Sequence, residues 1–134
     1  LLDAGFVPVL SSIGIEDSAS GATSPLLNIN ADDAAAALVP VLGASGLVLL
    51  TDVPGLKGAD GRVIPRLSAS DVESLITSGV VTGGMIPKAR ASAALARTHR
   101  VPVVILSGDD PSHLLSWLDR APGTAPAGTE FTPD

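Results

Sequence analysis

No cysteine and no tyrosine occur among the 134 residues, tryptophan is present once and phenylalanine twice. Without cysteine there are no disulfides, no thiolate nucleophile and no cysteine-based zinc site. Aromatic residues at 2% leave too few rings to stack on nucleobases or RNA. Basic residues are also scarce, 8 against 14 acidic ones, and the net charge of −6 argues against a nucleic-acid backbone as partner. A small phosphorylated ligand stays open, because a local nest of backbone N–H groups and one lysine can overrule the global charge. The apolar runs are too short to span a bilayer, and the opening residues lack the basic segment of a signal peptide. No membrane partner is expected, and a cytoplasmic location is. The chain opens on Leu1-Leu2-Asp3-Ala4-Gly5, without methionine and as if in the last turn of a helix, so a cut in a longer polypeptide is expected there.

Several catalytic signatures are missing too. Neither Lys57 nor Lys88 follows a G-x-x-x-x-G pattern, and no G-x-G-x-x-G or G-x-S-x-G segment occurs. His99 and His113 stand without a nucleophile or ligand at metal spacing and read as surface or helix-end histidines. The Asp109-Asp110 pair reads as a helix cap.

What is present is aliphatic. Hydrophobic residues make up 46% of the chain and the mean hydropathy is +0.43, enough for a core of Ala, Val, Leu and Ile in one domain. Phe6 to Leu10 reads as a buried strand whose ladder Pro8 limits. Glu16 to Thr23 reads as a loop or hairpin tip. Ala35, Leu38, Val39 and Leu42 mark a helix from Asn30, with Asp32 and Asp33 in its first turn and a kink or early end near Val39 caused by Pro40. Leu47 to Thr51 predicts a central strand, left through a type II turn at Pro54-Gly55. Asp60-Gly61 predicts a hairpin tip. Ser70 with Glu73 predicts a capping box for a helix closed by Gly79. Ile86 to Thr98 predicts a further helix, and Val103 to Leu106 a buried strand. Asp110-Pro111 opens a helix to about Asp119, Pro122 to Pro126 reads as loose, and Thr129 to Thr132 as an edge strand. Buried strands alternating with amphipathic helices predict an α/β fold, a three-layer αβα sandwich with a mainly parallel sheet. In such sheets ligands bind beyond the carboxyl ends of the strands, where Asp52 and the loop after Ser107 should lie.

Two segments carry chemistry. In Thr82-Gly83-Gly84-Met85-Ile86-Pro87-Lys88, two glycines allow close backbone approach before a helix whose first turn bears proline and lysine. Amide donors and an ammonium in one place suit an anion, phosphate above all. In Asn28-Ile29-Asn30-Ala31-Asp32-Asp33, alternate Asn and Asp resemble the start of a calcium loop. Asp33 stands where such a loop needs glycine and Val39 where it needs the bidentate acid, so calcium is rejected. The segment reads either as a helix start capped by Asn30 or as a site in which Asn28 donates to a carboxylate and Asp32 orients lysines.

Taken in order, Asn28 to Asp32, Leu50-Thr51-Asp52-Val53-Pro54-Gly55-Leu56 and Gly83 to Lys88 resemble the carboxy-terminal, ATP-binding half of the acetylglutamate kinases, a branch of the amino acid kinase family. The resemblance runs from Phe6-Val7-Pro8-Val9 through Ile64-Pro65-Arg66-Leu67 to about Leu118. It implies that residues 1–134 form a nucleotide-binding carboxy-terminal domain of an enzyme that uses ATP with Mg2+ to phosphorylate the side-chain carboxylate of N-acetyl-L-glutamate, in arginine biosynthesis. It assigns Asn28 to the substrate's α-carboxylate, Asp32 to the organisation of phosphate-binding lysines and Lys88 to the transferring phosphoryl group. Asp52, Val53, Pro54, Gly55 and Leu56, with Val80, Val81, Thr82, Gly83, Gly84 and Met85, match segments that hold the nucleotide. The magnesium ion would ride on the ATP phosphates. The family's amino-terminal half, with its glycine-rich loops, second lysine and substrate arginine, has no match here, so this part is expected to be inactive alone. A homo-oligomer is open for the full-length protein. Leu27, Pro40 and the segment Asp17 to Ser24 depart from the family pattern. A kinase for a carrier-linked aminoadipate and a non-catalytic nucleotide-binding module are the alternatives.

Overall fold

The computed structural model describes residues 1–16, 25–121 and 123–133, and the chain divides into two compact units, Leu1–Leu38 and Val39–Asp134. The first unit opens with a single 3-10 turn, Leu2–Ala4, closed by Gly5 in the left-handed region at φ 78°. Strands β1 (Ile13–Ile15) and β2 (Leu26–Asn28) pair antiparallel, with Ile13 opposite Asn28. That pairing frames the expected hairpin, whose tip from residue 17 to 23 lies outside the described residues. Helix α1 (Ala31–Leu42) follows, capped as the sequence predicts: the Asn30 side-chain oxygen accepts the N–H groups of Asp32 and Asp33 at 2.9 and 3.2 Å.

Two expectations for this stretch change. Phe6 to Leu10 forms no strand; Phe6, Val7, Val9 and Leu10 are all exposed. A strand needs a partner for its amides and carbonyls, and among the described residues none lies beside this segment. Pro40 does not end α1 at Val39. The helix runs to Leu42, where Gly43 at φ 58° stops it and Ala44 N–H closes on the Val39 carbonyl at 3.0 Å. One missing N–H near a helix end removes a single bond, which the remaining turn tolerates.

The second unit is a four-stranded sheet in the order β3 (Leu47–Thr51), β5 (Val103–Ser107), β6 (Thr129–Phe131), β4 (Arg66–Leu67). The outer pairs β3–β5 and β4–β6 are parallel, while β6 runs antiparallel to β5. Thr129 to Phe131 is therefore an interior strand rather than the expected edge, and all three residues are buried. Leu47 to Thr51, expected to be central, lies at the edge of the sheet among the described residues. Helices α2 (Ala69–Thr77) and α3 (Met85–His99) cover one face of the sheet, where Val72, Ala89, Ala93 and Ala96 pack with Leu49, Val103, Ile105 and Phe131. Helix α4 (Ser112–Asp119) packs on β5. Its Trp117 reaches the Glu130 carboxylate, on the face of β6 opposite Phe131. Helices on both faces of a mainly parallel sheet are the expected three-layer αβα arrangement. Small alanines on α3 let it approach the sheet closely, so the core needs few aromatics.

Local chemistry explains the element ends, with two corrections. The capping box of α2 is Ser68 with Asp71, two residues before the expected Ser70–Glu73 pair: Asp71 N–H donates to Ser68 Oγ, and Ser68 N–H to Asp71 Oδ2 at 2.8 Å. Both spacings occur in Ser68-Ala69-Ser70-Asp71-Val72-Glu73, and the earlier serine prevails because it holds the extended backbone a cap requires. Glu73, left outside the box, forms a bidentate pair with Arg90 of α3. Gly79 at φ 74° ends α2 as expected. The predicted type II turn at Pro54-Gly55 does not close. Gly55 takes φ 148°, and the Leu56 N–H that would close the turn donates to Thr129 Oγ1. The Asp60-Gly61 tip is present, with Lys57 bridged to Val63 and Gly61 at φ 75°.

These contacts yield two expectations. A Cβ on Gly128 would lie 2.0 Å from the Ile105 carbonyl oxygen, inside the β5–β6 pairing, whereas one on Gly61 meets nothing within 4 Å. Gly128→Ala should cost about 3 kcal/mol or more in urea unfolding, against about 1 kcal/mol for Gly61→Ala from backbone strain alone. The Asp71 carboxyl is held below its usual value of 3.8, first by the backbone N–H of Ser68 and then by its hydroxyl. A depressed folded value means that this stabilisation is present above pH 3.8 and is lost as pH falls through the folded value. Acid titration of thermal stability should show that loss, and Ser68→Ala should remove about 1 kcal/mol at neutral pH and reduce the acid loss only in part, because the backbone N–H at position 68 remains.

Candidate functional site

The site residues expected from sequence fall into both units: Asn28 and Asp32 in the first, Asp52 to Leu56, Val80 to Met85 and Lys88 in the second. In the first unit, Asn28 is the last residue of β2 and Asp32 the second residue of α1, half-buried above the Asn30 cap. Beside them lies an apolar hollow of about 790 Å3, lined by Leu10, Ile13, Ile29, Ala34 and Leu38 among others.

In the second unit, two loops build a groove of about 250 Å3. The first leaves the carboxyl end of β3. Thr51 pairs with Ser107 in the sheet, so Asp52 and the loop after β5 sit together at that edge, as expected, and Gly108 N–H ties them by donating to the Thr51 carbonyl at 2.7 Å. Thr51 Oγ1 then accepts the Val53 N–H at 3.1 Å and bends the chain sharply. The second loop joins α2 to α3. Val80 and Val81 N–H groups both donate to the Leu75 carbonyl, and Gly83 at φ 58° turns the chain into α3. Val53, Gly55 and Leu56 face Val80, Val81, Thr82 and Met85 across the groove. Asp52, Pro54, Gly83 and Gly84 flank it without lining it.

The glycine loop differs from the expected nest in one respect. The helix begins at Met85 with Gly84 as its cap, and the Met85 and Ile86 N–H groups donate back to Thr82 and Gly83 carbonyls at 3.4 and 3.2 Å. Pro87 thus falls inside the first turn, where its missing N–H costs little. Lys88 is half-buried and lies three residues beyond Met85, on the same side of the helix.

Two residues escaped the sequence reading. Lys57 lines the groove beside Leu56 and supplies a second ammonium. Its adjacency to the Asp52–Leu56 segment was the available signal. Thr129 fixes the same loop from β6, accepting Leu56 N–H at 2.8 Å and donating to the Ile64 carbonyl at 2.7 Å. No spacing announces a contact across 73 residues. On the other face of β6, buried Glu130 accepts Trp117 Nε1 at 3.1 Å, pairs with Arg120 and lies 3.8 Å from Arg66. Among the described residues no three His, Cys, Asp or Glu side chains cluster to hold a metal ion, and no helix is long and apolar enough to cross a membrane.

Comparison with known proteins gives this geometry a lineage. The chain is 42% identical over 122 residues to an acetylglutamate kinase of Photorhabdus laumondii, which covers 91% of this chain and 45% of the relative. It thus spans about half the length of that relative. A solved N-acetylglutamate synthase from Neisseria gonorrhoeae, complexed with coenzyme A and N-acetyl-glutamate, superposes at a TM-score of 0.81 with 26% identity, over 99% of this chain and 29% of the other. The fold is also that of carbamate kinase from Giardia lamblia, at a TM-score of 0.67 and 22% identity over 90% of this chain and 37% of that one. The model of the amino acid kinase family matches residues 1–107, and the chain belongs to that family.

Proposed function

We propose that this chain is the nucleotide-binding, carboxy-terminal portion of a kinase that transfers the γ-phosphoryl group of ATP to the side-chain carboxylate of N-acetyl-L-glutamate, in arginine biosynthesis. The observation that carries the reading is the groove: two loops face each other beside an α3 first turn that bears Lys88, and in sequence both resemble nucleotide segments of the acetylglutamate kinases. The kinship at 42% identity supports the acceptor.

In this reading Val53, Leu56, Val81 and Met85 hold the base and sugar by apolar contact. Lys57 and Lys88 supply the cations that phosphates need. A carboxylate oxygen of the substrate attacks the γ-phosphorus, the bond from that phosphorus to the bridging oxygen breaks, and ADP leaves with the electron pair. The product is an acyl phosphate. Such a transfer needs in-line positioning and neutralisation of charge on the moving oxygens, which a lysine at a helix start supplies. The resemblance to the acetylglutamate kinases gives Asn28 the substrate's α-carboxylate and Asp32 the organisation of phosphate-binding lysines. Mg2+ enters on the nucleotide phosphates. The remaining half of such an enzyme completes the substrate site.

Trapping with hydroxylamine tests the reaction. The polypeptide extended to the length of its relatives should form hydroxamate that depends on both ATP and N-acetyl-L-glutamate, while residues 1–134 alone should form none. Absence of hydroxamate with every acidic amino-acid acceptor would sink the kinase reading. For nucleotide binding by residues 1–134, Lys88→Ala should weaken Mg-ATP about tenfold or more, in line with the loss of a charge-assisted hydrogen bond. Unchanged affinity would reject the phosphate role of Lys88.

A further inference from the structure

We propose that Thr129 is a positioning residue for the nucleotide groove, acting through the Leu56 amide; the proposal rests on the assignment of that groove to a nucleotide. The Thr129 side chain is fully buried on interior strand β6. Leu56 and Ile64 stand opposite each other where the chain leaves and re-enters the Lys57–Val63 hairpin, and Ile64 N–H donates to the Leu56 carbonyl at 2.8 Å. In an antiparallel pair the reciprocal bond would run from Leu56 N–H to the Ile64 carbonyl. Here the Thr129 hydroxyl occupies that path. Its oxygen accepts Leu56 N–H at 2.8 Å and its proton goes to the Ile64 carbonyl at 2.7 Å. A hydroxyl offers one proton, so donation to Ile64 leaves a lone pair for Leu56 and fixes the direction of the relay.

The effect is to hook the base of the hairpin onto β6. Leu56 is both the hooked residue and part of the groove wall. The preceding residue shows how tight the junction is: a Cβ on Gly55 would lie 2.7 Å from Thr129 Oγ1 and 3.0 Å from its backbone nitrogen. Without the hydroxyl, Leu56 N–H and the Ile64 carbonyl either stay buried and unpaired or close on each other. Either outcome moves or loosens the wall formed by Val53, Gly55, Leu56 and Lys57.

Valine matches threonine in shape but has no hydroxyl, while serine keeps it. In Thr129→Val, exchange of the Leu56 amide should accelerate about tenfold beyond any change at Val104 and Ile105, which report global stability. Mg-ATP affinity should fall about fivefold to tenfold. Thr129→Ser should restore both to within about twofold. A Leu56 amide as protected in the valine variant as in the parent, relative to Val104 and Ile105, would overturn the proposal, as would parental Mg-ATP affinity. If the valine variant does not fold, Thr129→Cys carries the same test. Its weaker thiol should give an intermediate exchange rate, and a parental rate overturns the hook. Loss of Leu56 protection together with a parent chain that binds no Mg-ATP overturns the nucleotide assignment instead.

Discussion

The insertion of Thr129–Phe131 between β5 and β4 is the constraint on which the second unit depends. This short strand makes the ladder bonds that join Val103–Ser107 to Arg66–Leu67, and without it the four-stranded sheet would be two separate fragments. Its three side chains serve three purposes. Phe131 fills the core under α2 and α3, Glu130 anchors the opposite face through Trp117 and Arg120, and Thr129 holds the loop that leaves β3. Gly128 makes the approach possible, because a side chain there would collide with the β5 backbone.

From that strand the groove follows. Two loops end at the same sheet edge because β3 and β5 run parallel and in register, so Asp52 and Gly108 emerge side by side. The α2–α3 loop meets them because the Ser68 cap and the left-handed Gly79 fix both ends of α2. The resulting walls are aliphatic, with ammonium groups at Lys57 and Lys88 nearby. Under the proposed function, such a local arrangement lets a chain of net charge −6 take a phosphorylated ligand, since fields from distant carboxylates are screened within about 10 Å.

The first unit shows how far composition reaches. Phe6-Val7-Pro8-Val9-Leu10 has the residues of a buried strand, yet lies exposed and, among the described residues, pairs with no strand. Strand formation is a property of a pair, and the propensity of one segment does not contain its partner. By contrast the Asn30 cap, the Gly79 stop and the Asp60-Gly61 tip were legible, because each depends on atoms within a few residues. The Ser68–Asp71 box was half-legible. Two overlapping serine-acid spacings compete there, and the backbone conformation before the helix chooses between them.

By itself, then, the sequence determined the α/β alternation, the buried strand Val103–Ser107, most helix ends and the two segments whose likeness to a kinase family located the groove. All of these rest on short-range periodicity, capping and local backbone freedom. Tertiary structure alone decided that β6 is interior and that Leu56 N–H leaves its expected turn for Thr129. It also decided that Lys57 joins the groove and that Glu130 is buried among two arginines and a tryptophan. The physical reason is range: those outcomes are set by packing between residues up to 73 positions apart, where the pairing chosen is the one that leaves fewest buried groups unsatisfied.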